Sequence, residues 1–371
     1  MASTKPPRNI RKLQEPSTVT IGEPISVLSG RHDISGGFGP ALTWIRNRAN
    51  DFRRDFASTG TPDSVHTCDL ITLPYPTRFG LFRAAATLAP FLWIRNRMLV
   101  IRWHDTDGRR RTLLFEPSDH ILGRNTPYFA DLAAKLPNRL TVAMLPVHGT
   151  VEDHLQRLSI TPDDVDFLMF DHLHTQDLRR WVGTTAPQPG FGDTAIEPYF
   201  PNAKVIVQRE ELTAMAALHP LQVPWYQADT FTDLRPDAFA AIDGDVLLGP
   251  GVAVLKTPGH VFGNQSLVLN TSTGIWASSE NAIAVEAIVP EHSSIPGLRR
   301  WSQRWSQEVV LNANTIETTA AQYNSLVLEK SIVDRSTRDS RFPQFFPSSE
   351  LVAHWTSPGT TPTFSHHAIE H

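Results

Sequence analysis

The sequence predicts an α/β (α+β) chain in which sheets pack together with helices outside. Three observations carry this. Strand-length apolar runs and helix-length segments succeed one another from about residue 66 onward. They do so without a strict strand–helix–strand alternation. The 371 residues, 40% of them hydrophobic, suffice for a large buried core.

The elements follow in chain order. Residues 1 to about 60 are rich in Pro, Gly, Arg and Asn without a clear period, and read as an N-terminal extension or arm ahead of a domain over 61–371. The pattern Ser35-Gly36-Gly37-Phe38-Gly39 lacks a preceding strand and a third glycine, so it is no dinucleotide fingerprint. Met98–His104 and Arg111–Phe115 read as strands joined by an Asp107-Gly108 turn. Pro127–Leu136 reads as a helix with Thr126 as N-cap and proline at its first position. A helix over Val151–Leu158, a short strand over Asp166–Phe170 and a helix from near Gln176 come next. Lys204–Gln208 reads as a strand running into a helix over Arg209–Leu218. Val252–Lys256, Ser266–Leu269 and Ile275–Ala277 complete the strands. Thr184–Tyr199 and His219–Pro236 read as long loops, a form that often carries function.

Composition narrows the classes. The formal net charge is −4, with both signs dispersed and no basic stripe, which argues against a nucleic-acid partner. The one cysteine, Cys68, excludes disulfide frameworks and cysteine-rich zinc sites, fits a reducing compartment, and reads as a packed thiol. No apolar run follows the basic residues Lys5, Arg8, Arg11 and Lys12, so no signal peptide is read. The longest apolar stretch, Ala84–Ile94, contains Pro90 and is too short for a bilayer. The expectation is a soluble cytoplasmic protein without a membrane partner.

The chemistry lies in two short stretches. In Phe170-Asp171-His172-Leu173-His174-Thr175-Gln176-Asp177 an apolar strand runs into two histidines spaced by two. In extended backbone this puts both imidazoles on one side. Imidazole suits zinc and other transition metals. Asp177 is expected in the first helical turn, as a ligand or general base, or as a carboxylate favoured there by the helix dipole. Asp171 is expected to orient a histidine or cap the strand end. In the second stretch, Thr257-Pro258-Gly259-His260 turns sharply after Val252–Lys256 and throws His260 off a strand end. Three protein ligands plus water is the usual layout of a catalytic zinc site. His104, His120, His148 and His292 have no motif around them. Trp225, Tyr226 and Phe231 read as pocket lining or packing anchors. Nucleophile-elbow, phosphate-loop and serine-triad signatures are absent.

The run from Val165 to about Glu280 resembles the metallo-β-lactamase superfamily. The strand before His172 and His174 matches the start of its His-X-His-X-Asp-His motif, and Thr257–His260 matches its Thr-Pro-Gly-His turn. Phe200-Pro201-Asn202-Ala203, Glu210-Glu211, Gly244-Asp245 and Gly249-Pro250-Gly251 fall in the same order as in that family. Leu113–Asp119 stands where the family has an early strand and an Asp-containing loop. The resemblance implies an αββα sandwich of two mixed sheets with metals at one edge, held by His172, His174 and His260. It also has departures. Gln176 takes the place of the family's second-metal Asp and Asp177 that of the adjacent His. Glu280 stands in for the bridging Asp. Pro347-Ser348-Ser349-Glu350 supplies no final histidine, and His354, His366 and His367 are off-pattern.

The implied function is a metal-dependent hydrolase acting through an activated water on a small organic ester, lactone or ether. Its metal would be zinc, one ion or two, with iron or manganese as alternatives. Asp177 and Glu280 are the candidate ligands and proton acceptors beside the three histidines. The other reading is a non-catalytic subunit of the same fold beside an active partner. The arm suggests contacts in a homo- or hetero-oligomer.

Overall fold

The computed structural model describes residues 21–31, 38–135 and 145–371. Lys5 to Lys12, Ser35-Gly36-Gly37 and the end of the helix expected to reach Leu136 lie outside the described residues. The strands are β1 (Glu23–Pro24), β2 (Ser64–Pro76), β3 (Phe91–His104), β4 (Arg110–Phe115), β5 (Phe167–Met169), β6 (Lys204–Gln208), β7 (Phe239–Ile242), β8 (Val246–Gly249), β9 (Val252–Lys256), β10 (Gln265–Thr271), β11 (Gly274–Ser278) and β12 (Ser349–Val352). The helices used below are α1 (Phe38–Ala57), α2 (Pro127–Lys135), α3 (Val151–Arg157), α4 (Arg179–Val182), α5 (Arg209–Met215), α6 (Leu298–Trp305) and α7 (Thr319–Ile332).

Two sheets form the middle. One is antiparallel, in the order β1-β8-β9-β10-β11. The other is mixed. Its strands run β12-β3-β4-β5-β6-β7, with β4 through β7 parallel, and β2 lies along β3. Side-chain alternation in the strands sorts the core into three layers. Leu99, Ile101 and Trp103 of β3 meet Val252, Val254, Leu267 and Leu269 between the sheets. Met98 and Val100 point the other way, onto Val151, Leu155, Leu212 and Met215 of α3 and α5. Ala253, Leu255 and Val268 face outward onto α1 and α7. Helix, sheet, sheet and helix therefore stack as an αββα sandwich.

The sequence-based expectations for β4, β6, β9, β10 and β11 agree with the structure to within two residues at each end. The helix expected from Gln176 does not form there; only the four residues of α4 are helical, because Thr175 at φ 63° turns the chain first. Residues 38–57, expected as part of a featureless arm, form the 20-residue helix α1. Its Ile45, Ala49, Phe52 and Phe56 are buried in the outer core against α7, and Ala41 is buried too. The helical spacing of these five residues is diluted by the arginines and asparagines between them, which hides the stripe from a composition-based reading. No helix among the described residues is long and apolar enough to cross a membrane.

The edge at which the site forms is set by strand ends. The chain leaves β5, β9 and β11 there, and β12 enters there. Asp171 O accepts a hydrogen bond from Gln265 N at 2.9 Å, and Gln265 Nε2 donates to Phe170 O at 2.8 Å. These bonds lock the first histidine segment onto the opposite sheet.

If α1 is a core element, Phe52→Ala is expected to cost about 3–5 kcal/mol, read from the urea unfolding midpoint. A loss under about 1 kcal/mol would return residues 38–57 to the status of an arm.

Candidate metal centre

Three imidazoles converge where the sheets meet. His172 follows β5, His174 sits two residues on, and His260 is thrown from the end of β9, all three buried. Their ligand nitrogens lie within 4.8 Å of one another. Two glycines make the His260 turn possible by close approach. A Cβ on Gly259 would lie 2.2 Å from Gln322 Cα on α7, and one on Gly263 would lie 2.4 Å from the backbone nitrogen of Glu211 on α5.

Each ring has one nitrogen committed to an acceptor. His172 Nδ1–H donates to Asp171 Oδ1 at 2.5 Å. His174 Nε2–H donates to Gln222 Oε1 at 2.6 Å. His260 Nδ1–H donates to the carbonyl of Asn312 at 2.7 Å. The remaining nitrogens face inward. His174 Nδ1 and His260 Nε2 stand 3.2 Å apart, and His172 Nε2 is buried without a hydrogen-bond partner. With the outer nitrogens donating, His174 Nδ1 and His260 Nε2 present lone pairs to each other. That is unfavourable unless a cation lies among them. The donor set fits a metal ion.

Charge follows the same arrangement. Burial would lower His172, but the Asp171 carboxylate overrides it and holds the ring up at about 9. Burial pushes His260 down to about 3, helped by the neighbouring His172. Burial also pushes His174 well below the usual histidine range, with the other two rings adding to the effect. Glu280 lies across from His172, its Oε2 3.5 Å from His172 Nε2. Burial pushes it up to about 7 against the pull of His172.

The expected residues divide. His172, His174 and His260 form one group and Asp171, His172 and Glu280 a second, so the structure brings Glu280 to the histidines. Asp177 it does not bring there. Arg179 takes both Asp177 oxygens, Nε to Oδ1 at 3.0 Å and Nη2 to Oδ2 at 2.7 Å, and Arg179 N adds a third bond. A part-buried guanidinium two residues on instead holds the Asp177 carboxylate in a pair of its own. Gln176 lines the cavity and donates to Ser118 Oγ at 3.0 Å. The Pro347-Ser348-Ser349 stretch does arrive at the site, with hydroxyls in place of an imidazole. Ser348 Oγ donates to Asp171 Oδ2 at 2.7 Å, and Ser349 lines the cavity with Glu280.

Several contributors hold the site by contacts that the sequence does not announce. Glu116, at φ 58°, accepts from Asp171 N at 2.7 Å; burial, and then the charge of Asp171, raise it well above the usual carboxyl range. Glu211 accepts from Leu173 N at 2.9 Å and from Tyr226 Oη at 2.7 Å. Thus Tyr226 braces the histidine segment. Phe231 packs in the core, and Trp225 lines the cavity. Glu116 and Thr175 both hold left-handed backbone without being glycine, strain of the kind that gathers at functional sites.

Above the histidines opens a cavity of about 520 Å³. His172, His174, His260 and Glu280 line one part of it, and Tyr75, Trp93, Ile94, Phe129, Leu132 and Trp225 form apolar walls. Tyr128 stacks on Trp225 with ring centroids 4.2 Å apart.

No family model matches the chain. Over 117 residues, 32% of the chain, it is 32% identical to an N-acyl homoserine lactonase of Bacillus thuringiensis. It is 30% identical over the same length to one from a Bacillus species. The match spans 38% of the length of those relatives. Similar solved structures include a dizinc quorum-quenching lactonase in complex with a product (9% identity, 84% of this chain and 97% of that one, TM-score 0.49). Another is a probable metal-dependent hydrolase from Staphylococcus aureus (12% identity, 71% and 82% coverage, TM-score 0.47). The two sheets and their outer helices form the αββα sandwich expected from the sequence, with the His172-Leu173-His174 and Thr257–His260 segments at one edge.

If Asp177 serves Arg179 and not a metal, Asp177→Asn should lower stability by about 1–3 kcal/mol and leave the metal content unchanged. Elemental analysis beside a thermal melt reads both. Lost metal at unchanged stability would restore the ligand role.

Proposed function

We propose that the chain is a metal-dependent hydrolase acting on a small, largely apolar ester or lactone. One observation carries the reading: three inward ring nitrogens, each ring fixed from behind by an acceptor, at one side of an apolar cavity. His172, His174 and His260 would hold the metal, with Glu280 as the adjacent carboxylate. When bound, such an ion supplies Lewis acidity, polarising a carbonyl and acidifying a water.

The chain's own residues do the rest. Asp171, Gln222 and the Asn312 carbonyl fix ring orientation, so no reorganisation is required when a ligand arrives. Glu280, partly buried beside His172, is placed to accept a proton from a nucleophilic water. Trp93, Ile94, Phe129 and Leu132 strip water from an apolar substituent and favour it at about 25 cal/mol per Å² buried. The cavity volume suits a small organic molecule. The partial match to N-acyl homoserine lactonases supports a lactone among the candidates, with zinc as the first metal to test.

The non-catalytic reading keeps the same fold without turnover. Against it stands the chemistry of the cluster: three converging buried imidazoles, with His172 Nε2 left without a partner, cost stability in a protein with no use for a cation.

Purified protein is expected to hydrolyse lactones or esters with apolar acyl groups, and to lose that activity on chelation and in His172→Ala with His260→Ala. Glu280→Gln should keep the metal and lower kcat by about 100-fold or more. Bound metal without turnover on lactone, ester and ether panels would favour the non-catalytic subunit.

A further inference from the structure

The donors around the histidines are enough for one ion and are consumed elsewhere for a second. We infer that this centre takes a single metal ion, held by His172, His174 and His260 with Glu280 beside them, and that a hydrogen-bonded network of this chain's own side chains occupies the position next to it. The inference rests on the hydrolase reading above and deepens it.

The argument is an inventory of donors. A second transition-metal ion sharing Glu280 needs further imidazole or carboxylate ligands of its own. Among the described residues, the second group of possible ligands is Asp171, His172 and Glu280, and two of its three members are engaged. Asp171 Oδ1 accepts from His172 Nδ1, and Asp171 Oδ2 accepts from Ser348 Oγ. His172 has only Nε2 left, and that atom already faces the first group. Glu116 is spent on Asp171, accepting its backbone N–H.

The remaining neighbours are the wrong chemistry. Gln176 offers an amide whose nitrogen donates to Ser118. Ser349 offers a neutral hydroxyl. Hydroxyl and amide oxygens are hard, neutral and weak ligands for zinc or iron. Asp177, the nearest carboxylate in sequence, is held by Arg179 on both oxygens. A second cation would also have to break the Ser348–Asp171 bond and so loosen the orientation of His172.

The network is a positive feature. Ser118, Gln176 and Ser349 line the cavity beside Glu280. They make a polar strip next to the metal position, able to exchange hydrogen bonds with a substrate oxygen.

The full-length protein, stripped with a chelator and re-dialysed against zinc, iron(II) or manganese in turn, is analysed for all metals by mass spectrometry. The expected result is about one ion per chain, with the same stoichiometry from calorimetric titration of the stripped protein. His172→Ala, its fold verified by circular dichroism, should retain almost none. About two ions per chain, or one retained in His172→Ala, would overturn the single-metal inference and leave the hydrolase reading standing. No ion in a folded wild-type protein would overturn both. Gln176→Ala should leave the count at about one; a fall would show that Gln176 belongs to the metal site and overturn the assignment of that position.

Discussion

Much of the site depends on one short hydrogen bond, from His172 Nδ1 to Asp171 Oδ1 at 2.5 Å. Asp171 is fully buried, and an isolated carboxylate there would be costly to desolvate. It survives because four groups surround it. His172 and Ser348 donate to its oxygens. Glu116 takes its backbone N–H, and its backbone carbonyl is engaged by Gln265 N. Those partners come from four separate parts of the fold: the segment after β5, the end of β4, the start of β10 and the approach to β12. Satisfying one buried carboxylate therefore ties both sheets and the C-terminal segment to one point. The orientation of His172 follows from that tie.

The same logic extends to the other two rings. Gln222 serves His174 through Oε1, while its Nε2 donates to Asn314 Oδ1 at 3.0 Å and to the His260 carbonyl at 3.3 Å. Gln322 of α7 donates to the Asn312 carbonyl at 2.6 Å and to that of Asn281 at 3.0 Å. It thus holds in place the acceptor that fixes His260. Helix α7 in turn packs on α1, which links the outer helical layer to ring orientation. In a site of this kind, geometry held within a fraction of an ångström separates a working centre from a loose one.

What could be read from the sequence was local and periodic. Val252–Lys256 is five apolar-rich residues ending in a Pro-Gly turn, and it forms β9 with those bounds. His172 and His174 declare themselves by spacing, and His260 by its turn. The arginine at 179, in contrast, changes the meaning of Asp177 through a contact that spacing along a strand or helix does not specify. Ser348 lies 177 positions from Asp171, and nothing in a Pro-Ser-Ser run announces its partner. Glu116 and Gln222 are ordinary loop residues until the chain is folded. Helix α1 was hidden for a different reason: its buried stripe is narrow and interleaved with charge, so a composition-weighted reading sees a polar arm.

The C-terminal segment shows how the fold sets which groups stand beside the histidines. β12 pairs with β3 from Ser349↔Asn96 to Val352↔Trp93, and a buried ion pair between Arg97 and Glu350 fixes that register. A shift of one residue would turn Ser349 away from the cavity and Glu350 toward it. It would also take Glu350 away from Arg97, and breaking such a buried pair costs about 3–5 kcal/mol. The register is therefore strongly held, and with it the chemistry delivered next to Glu280: a neutral hydroxyl on β12, and the Ser348 hydroxyl on Asp171 just before it. A strand pairing made rigid by a salt bridge on the far side of the sheet edge thus decides which functional groups line the cavity beside the histidines.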